Sequence, residues 1–166
     1  MNENDLTKLI SRIEHNAFGV IYGSVTVMAL LLSAEHGSAT PVKTAIILFG
    51  SILAIVLAET FAKISSDAVH NRKPIGWDAV RHGWHHSRPT LIAANIPTLV
   101  IATAATGWYS YDMAVGIAQL AATILLVVYG FSIGWVIYGR VIPGMLHAAF
   151  TGSIGAALAL LKFTIH

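Results

Sequence analysis

The stretch Asp78-Ala-Val-Arg-His82-Gly-Trp-His85-His86 carries the densest set of metal-ligating side chains in the sequence. On a helix, Asp78, His82 and His86 stand at i, i+4 and i+8 and share one stripe, with His85 beside it. Neutral imidazoles one turn apart, joined by a carboxylate, make a site for Zn²⁺, Fe²⁺ or Mn²⁺. Asp67 and His70 form a second pair at i, i+3. The competing reading is interfacial. In it these histidines lie among lipid headgroups with Arg81, Arg88 and Trp84, and Gly83 weakens the helix that a metal stripe needs.

Glu59 is the other residue with chemical potential. It is the one acidic residue in an apolar run from about 44 to 62, and a carboxylate inside a membrane is costly unless it meets a partner or a wet cavity. Such a residue marks a transport pathway, with Glu14 and His15 at a similar depth on the first apolar run. The alternative is an ion pair with Lys63 four residues on. Met28 is a soft ligand by type, but a lone Met in an apolar helix is ordinarily packing. Most other polar residues in the runs (Tyr22, Ser24, Thr26, Asn95, Gln119, Thr123, Ser132, Thr151 and Ser153) read as glue between helices.

What positions these groups is a set of membrane helices. Of 166 residues, 55% are hydrophobic and 11% charged, whereas soluble domains carry about 25% charged residues. A spanning helix needs about 20 apolar residues, and five runs meet that: about 15–34, 44–62, 91–108, 113–138 and 142–161. The chain therefore reads as one all-α membrane domain, 1–166, in a lipid bilayer. Pro41 and Pro143 sit at helix starts, where a missing N–H is harmless, and Pro97 is expected to kink the third span. The short links Tyr109–Asp112 and Gly139–Val141 require antiparallel hairpins. The segment 63–89 is the one long hydrophilic stretch. Pro74 and Gly76 divide it, with the second helix continuing through Asp67 and His70 and a short helix over Asp78–Ser87 capped by Asp78.

The net charge of +2 is no sign of nucleic acid, because the basic residues sort by side. Lys8, Arg12, Lys63, Arg72, Lys73, Arg81, Arg88 and Arg140 fall on one side, and Lys43 and Lys162 on the other. An excess of Lys and Arg marks the cytoplasmic side, so the expected orientation is N-terminus in, C-terminus out. Residues 1–14 are polar and amphipathic, unlike a signal peptide, and the first span is expected to act as its own insertion signal. With no cysteine, thiolate chemistry is excluded. Small residues recur four apart at Gly50, Ala54 and Ala58, at Gly130 and Gly134, and at Gly152 and Ala156, a spacing that lets helices approach closely.

Two resemblances follow. His82 to His86 spells H-x-x-H-H, similar to one box of the membrane di-iron desaturases and hydroxylases, which use three; the remaining histidines here are scattered. The overall layout resembles the vacuolar iron transporter family in its wide sense, including bacterial relatives. Phe18-Gly19-Val-Ile-Tyr22-Gly23 resembles its F-G-x-x-D-G pattern, and Ala58-Glu59-Thr60 with Ile64-Ser65-Ser66 its G-E-Y…S motif. Ile96-Pro97 and the Gly- and Ala-rich tail from Gly139 also resemble family segments. The resemblance implies a homodimeric transporter of divalent cations such as iron or manganese, in a bacterial inner membrane, with Glu59 as an ion-coordinating carboxylate. It also implies departures: Tyr22 replaces the first-span aspartate, and histidines stand where the family has mostly glutamates, a softer set suited to Zn²⁺ or Ni²⁺. The other expectations are a non-transporting membrane subunit and a metal-dependent membrane enzyme.

Overall fold

The computed structural model describes residues 3–33, 40–72 and 74–165. Each apolar run becomes a helix: α1 (Glu3–Ser33), α2 (Pro41–Asn71), α3 (Trp77–Thr103), α4 (Tyr111–Tyr138) and α5 (Val141–Ile165), with one 3₁₀ turn at Ala104–Thr106. All five are long and apolar enough to cross a membrane, and no strand occurs among the described residues. Helices are the expected solution, because in lipid a helix satisfies its backbone groups within one segment. The protein is an all-α integral membrane protein.

Local chemistry sets the boundaries. Thr40 caps α2 by accepting a hydrogen bond from the Lys43 N–H, with Pro41 at the first position. Ser110 caps α4 in the same way through the Met113 N–H. The third connection is therefore Gly107–Ser110, slightly earlier than the link expected from hydropathy. The Tyr109 hydroxyl donates to the Val100 carbonyl at 2.8 Å and ties this loop to α3. Gly139 ends α4 with φ 63°, a left-handed conformation that costs glycine little and turns the chain into α5.

The segment 63–89 differs from expectation in one respect. α2 continues through Asp67 and His70 as anticipated, but Asp78–Ser87 is no separate short helix capped by Asp78. It is the first half of α3, whose cap position is Gly76; Asp78 lies in the first turn, where its charge complements the helix dipole. α3 then runs without a break through Pro89 and Pro97. Each proline removes one helical bond, so the carbonyls of His85 and Ala93 lose their usual donors. Neighbouring helices make this tolerable in a membrane bundle.

α3 is the hub, packed against α1, α2 and α4, while α5 lies mainly on α4 and touches α1. The core is built from Val27, Leu31, Leu48, Ile52, Val56 and Ile101 with small residues of α3 and α4. α4 and α5 meet along a seam of small residues. A Cβ on Gly134 would stand 2.7 Å from the Pro143 carbonyl oxygen, and one on Gly155 would stand 3.0 Å from the Thr123 hydroxyl. The Thr151 hydroxyl donates across this seam to the Leu126 carbonyl at 2.9 Å. Of the pair Gly152 and Ala156, the first is half-buried and the second exposed, and Gly155 is the buried glycine of this stretch. Gly50, Ala54 and Ala58 stand exposed on the outer face of α2, away from the chain's other helices.

Candidate functional site

Glu59 lies where α1, α2 and α3 converge. The Thr90 hydroxyl donates to its Oε2 at 3.1 Å, and its Oε1 is buried without a hydrogen-bond partner. Two more buried hydroxyls without a partner belong to the same α2–α3 contact, Thr60 and Ser87. Gly83, Ser87 and Thr90 stand at i, i+4 and i+7, one buried stripe of α3. At one end of this stripe, Gly83 admits Ile64 and the Thr60 carbonyl; a Cβ there would approach them to 2.8 and 3.2 Å. At the other end, Thr90 meets Glu59, and Ser87 falls between.

α1 closes the junction from the third side through two glycines. A Cβ on Gly19 would stand 2.7 Å from the Thr90 nitrogen and 2.8 Å from Pro89, and one on Gly23 would stand 2.7 Å from the Thr90 carbonyl oxygen. The residues that carried a sequence resemblance thus act as a backbone-to-backbone contact that seats Thr90 beside Glu59. Tyr22, at the position of the expected aspartate, points elsewhere. It is 41% exposed and stacks on Phe18, which in turn stacks on His86 of α3.

Lys63 does not pair with Glu59. Its ammonium binds Asp67 at 2.9 Å, one turn further along α2, at the half-exposed surface. Asp67 also lies within the electrostatic reach of His70 and of His82 on α3. Among the described contacts Glu59 has no basic neighbour, and the Thr90 hydroxyl holds its Oε2.

The histidine end is more open. Asp78, His82 and His85 are exposed and His86 is half-buried. Among the described residues no three His, Cys, Asp or Glu side chains gather closely enough to hold a metal ion. His82 nears Asp67, Asp78 and His85 are exposed along α3, and His86 stacks on Phe18. Glu14 and His15 belong to α1, but their side chains lie outside the described residues. Met28 is fully buried against Ala122 and Leu126, with the Thr123 hydroxyl 4.0 Å from its sulfur, so its role is packing.

Thr90, Ser87 and Thr60 were the site residues that sequence reasoning passed over. A threonine 31 positions from Glu59 carries no local signal. The available clue was the flanking pattern, two hydroxyl residues around Pro89 in an otherwise interfacial stretch, and paired glycines four apart in α1. A groove of about 410 Å³ between α2 and α3 is a less promising site, because Val42, Ile46, Phe49 and Leu99 dominate its wall. No protein-family model, curated protein or solved structure matches the chain.

Proposed function

We propose that this protein transports small cations across the membrane, with Glu59 as the ion-binding group. The observation that supports this best is a half-buried glutamate in a membrane helix, one carboxylate oxygen held by Thr90 and the other buried without a partner. A buried unsatisfied polar atom costs about 1–3 kcal/mol, more when charged, and an apolar side chain would fill the same space without that penalty. The cargo suggested by the histidine-bearing end is a divalent metal ion, iron, manganese or zinc, gathered by Asp78, His82, His85, His86, Asp67 and His70. The resemblance to vacuolar iron transporters points the same way, and to a homodimer in a bacterial inner membrane. Glu14 and His15 would stand at the mouth of the pathway. Wild-type protein in proteoliposomes is expected to pass at least one of Fe²⁺, Mn²⁺, Zn²⁺ or Na⁺. Rates equal to those of empty vesicles for all four would remove the reading.

Orientation follows the eight-to-two division of basic residues, with the α2–α3 turn and the start of α1 in the cytoplasm. A reporter fused after His166 that is active only outside the cytoplasm should be active. Activity of a cytoplasm-only reporter at that position would contradict this orientation.

Replacing His82 and His86 together with Ala is expected to weaken divalent-ion binding at least about tenfold, on the order of 1.4 kcal/mol. Titration calorimetry on wild type and the double variant reads this. Equal affinities would return the histidines to the interfacial role.

A second reading has its own observation. The exposed row Gly50, Ala54 and Ala58 on α2 is a surface of the kind that accepts another helix. It favours a non-transporting subunit of a larger membrane complex, the reading that remains if no flux is found.

A further inference from the structure

The junction around Glu59 has a donor set that can be read for ion class. Its buried or bonded side-chain atoms described above are oxygens: the Glu59 carboxylate and the hydroxyls of Thr60, Ser87 and Thr90. Oxygen-only donors select hard cations over the thiolate- and imidazole-seeking metals.

Charge then decides between hard ions. Glu59 is the only charged side chain among these described groups, and its nearest basic residue on α2, Lys63, is committed to Asp67. One carboxylate neutralises one positive charge. A divalent ion there would leave a net positive charge buried, which low-dielectric surroundings penalise by several kcal/mol. The junction is also compact, since the α1 glycines bring backbone against backbone at Thr90. We infer that the Glu59 junction takes a singly charged hard cation of sodium's class, held by the Glu59 carboxylate with the hydroxyls of Thr60, Ser87 and Thr90. This rests on Glu59 being an ion-binding group, as proposed above.

Binding to the folded state alone raises stability in proportion to ln(1 + [L]/Kd), so thermal unfolding of the purified full chain in detergent reports occupancy without any transport. The probes are NaCl, LiCl, KCl, MgCl₂ and MnCl₂, each against choline chloride at matched ionic strength and fixed pH. NaCl and LiCl are expected to raise the Tm of wild type more than KCl does. Glu59→Gln should abolish the difference between sodium and choline. Thr90→Ala, which keeps the charge, should lower the apparent Na⁺ affinity by about tenfold and serves as the readout if Glu59→Gln does not fold. A Glu59-dependent rise with Mg²⁺ or Mn²⁺ and none with Na⁺ overturns the charge assignment but leaves Glu59 as an ion ligand. Salt effects that are the same in wild type and Glu59→Gln overturn the inference, and absence of every response to these salts removes the ion-binding reading with it.

Discussion

Gly23→Leu is expected to destabilise the protein strongly. A Cβ at this position stands 2.7 Å from the backbone oxygen of Thr90. The obstacle is backbone rather than a flexible side chain, so α1 and α3 must separate. Overpacking of this kind typically costs about 1–3 kcal/mol and occasionally more. The separation also withdraws the contact that seats Thr90 beside Glu59, so cation binding should fall with stability. Gly50→Leu is the matching control, because nothing lies within 4 Å of a Cβ there; exposed changes of this sort usually stay within about 0.5 kcal/mol. Thermal unfolding of the three proteins in the same detergent makes the comparison. A Gly23→Leu variant that melts with wild type would mean that α1 does not rest on Thr90.

Why the fold was easier to read than the junction follows from the physics of each. A membrane span announces itself over twenty consecutive residues, and the caps at Thr40 and Ser110 and the glycine at 139 act within a few positions. The expectation of a separate helix over Asp78–Ser87 rested on the change from polar residues to the apolar run near 91, and such a change does not by itself stop a helix. Proline does end helices in water, but here α1 packs on Pro89 through Gly19 and the helix continues. Glu59 stood out because charge in an apolar run is conspicuous. Its partner did not, since a hydroxyl on a different helix differs in no local respect from the many Ser and Thr that bond to their own helix, as Thr98 does to Ala94. The Lys63 pairing was open in sequence, because Lys63 is four residues from both Glu59 and Asp67; the half-exposed position beyond the apolar run settles it in favour of Asp67. The metal stripe was drawn on a helix that does form, yet an i, i+4, i+8 row spreads its ends about 12 Å apart along the axis, so it needs a second element to complete a site, and the described residues supply none.

Glu59→Gln bears most directly on the role of the junction. The amide preserves volume and can still accept from the Thr90 hydroxyl, so Thr90 keeps its partner and the α1–α2–α3 contact has no reason to open. What disappears is the negative charge, and with it the attraction that brings a cation out of water into an apolar interior. A carboxylate costs about 2.5–3.5 kcal/mol at the centre of a membrane helix on insertion scales, so its removal should not harm folding and should remove function. The measurement is cation flux into proteoliposomes by wild type and Glu59→Gln, with size-exclusion profiles of both samples. The expected result is a size-exclusion profile for the variant unchanged from wild type and flux no greater than that of empty vesicles. Wild-type flux through a folded Glu59→Gln protein would contradict a cation path at Glu59.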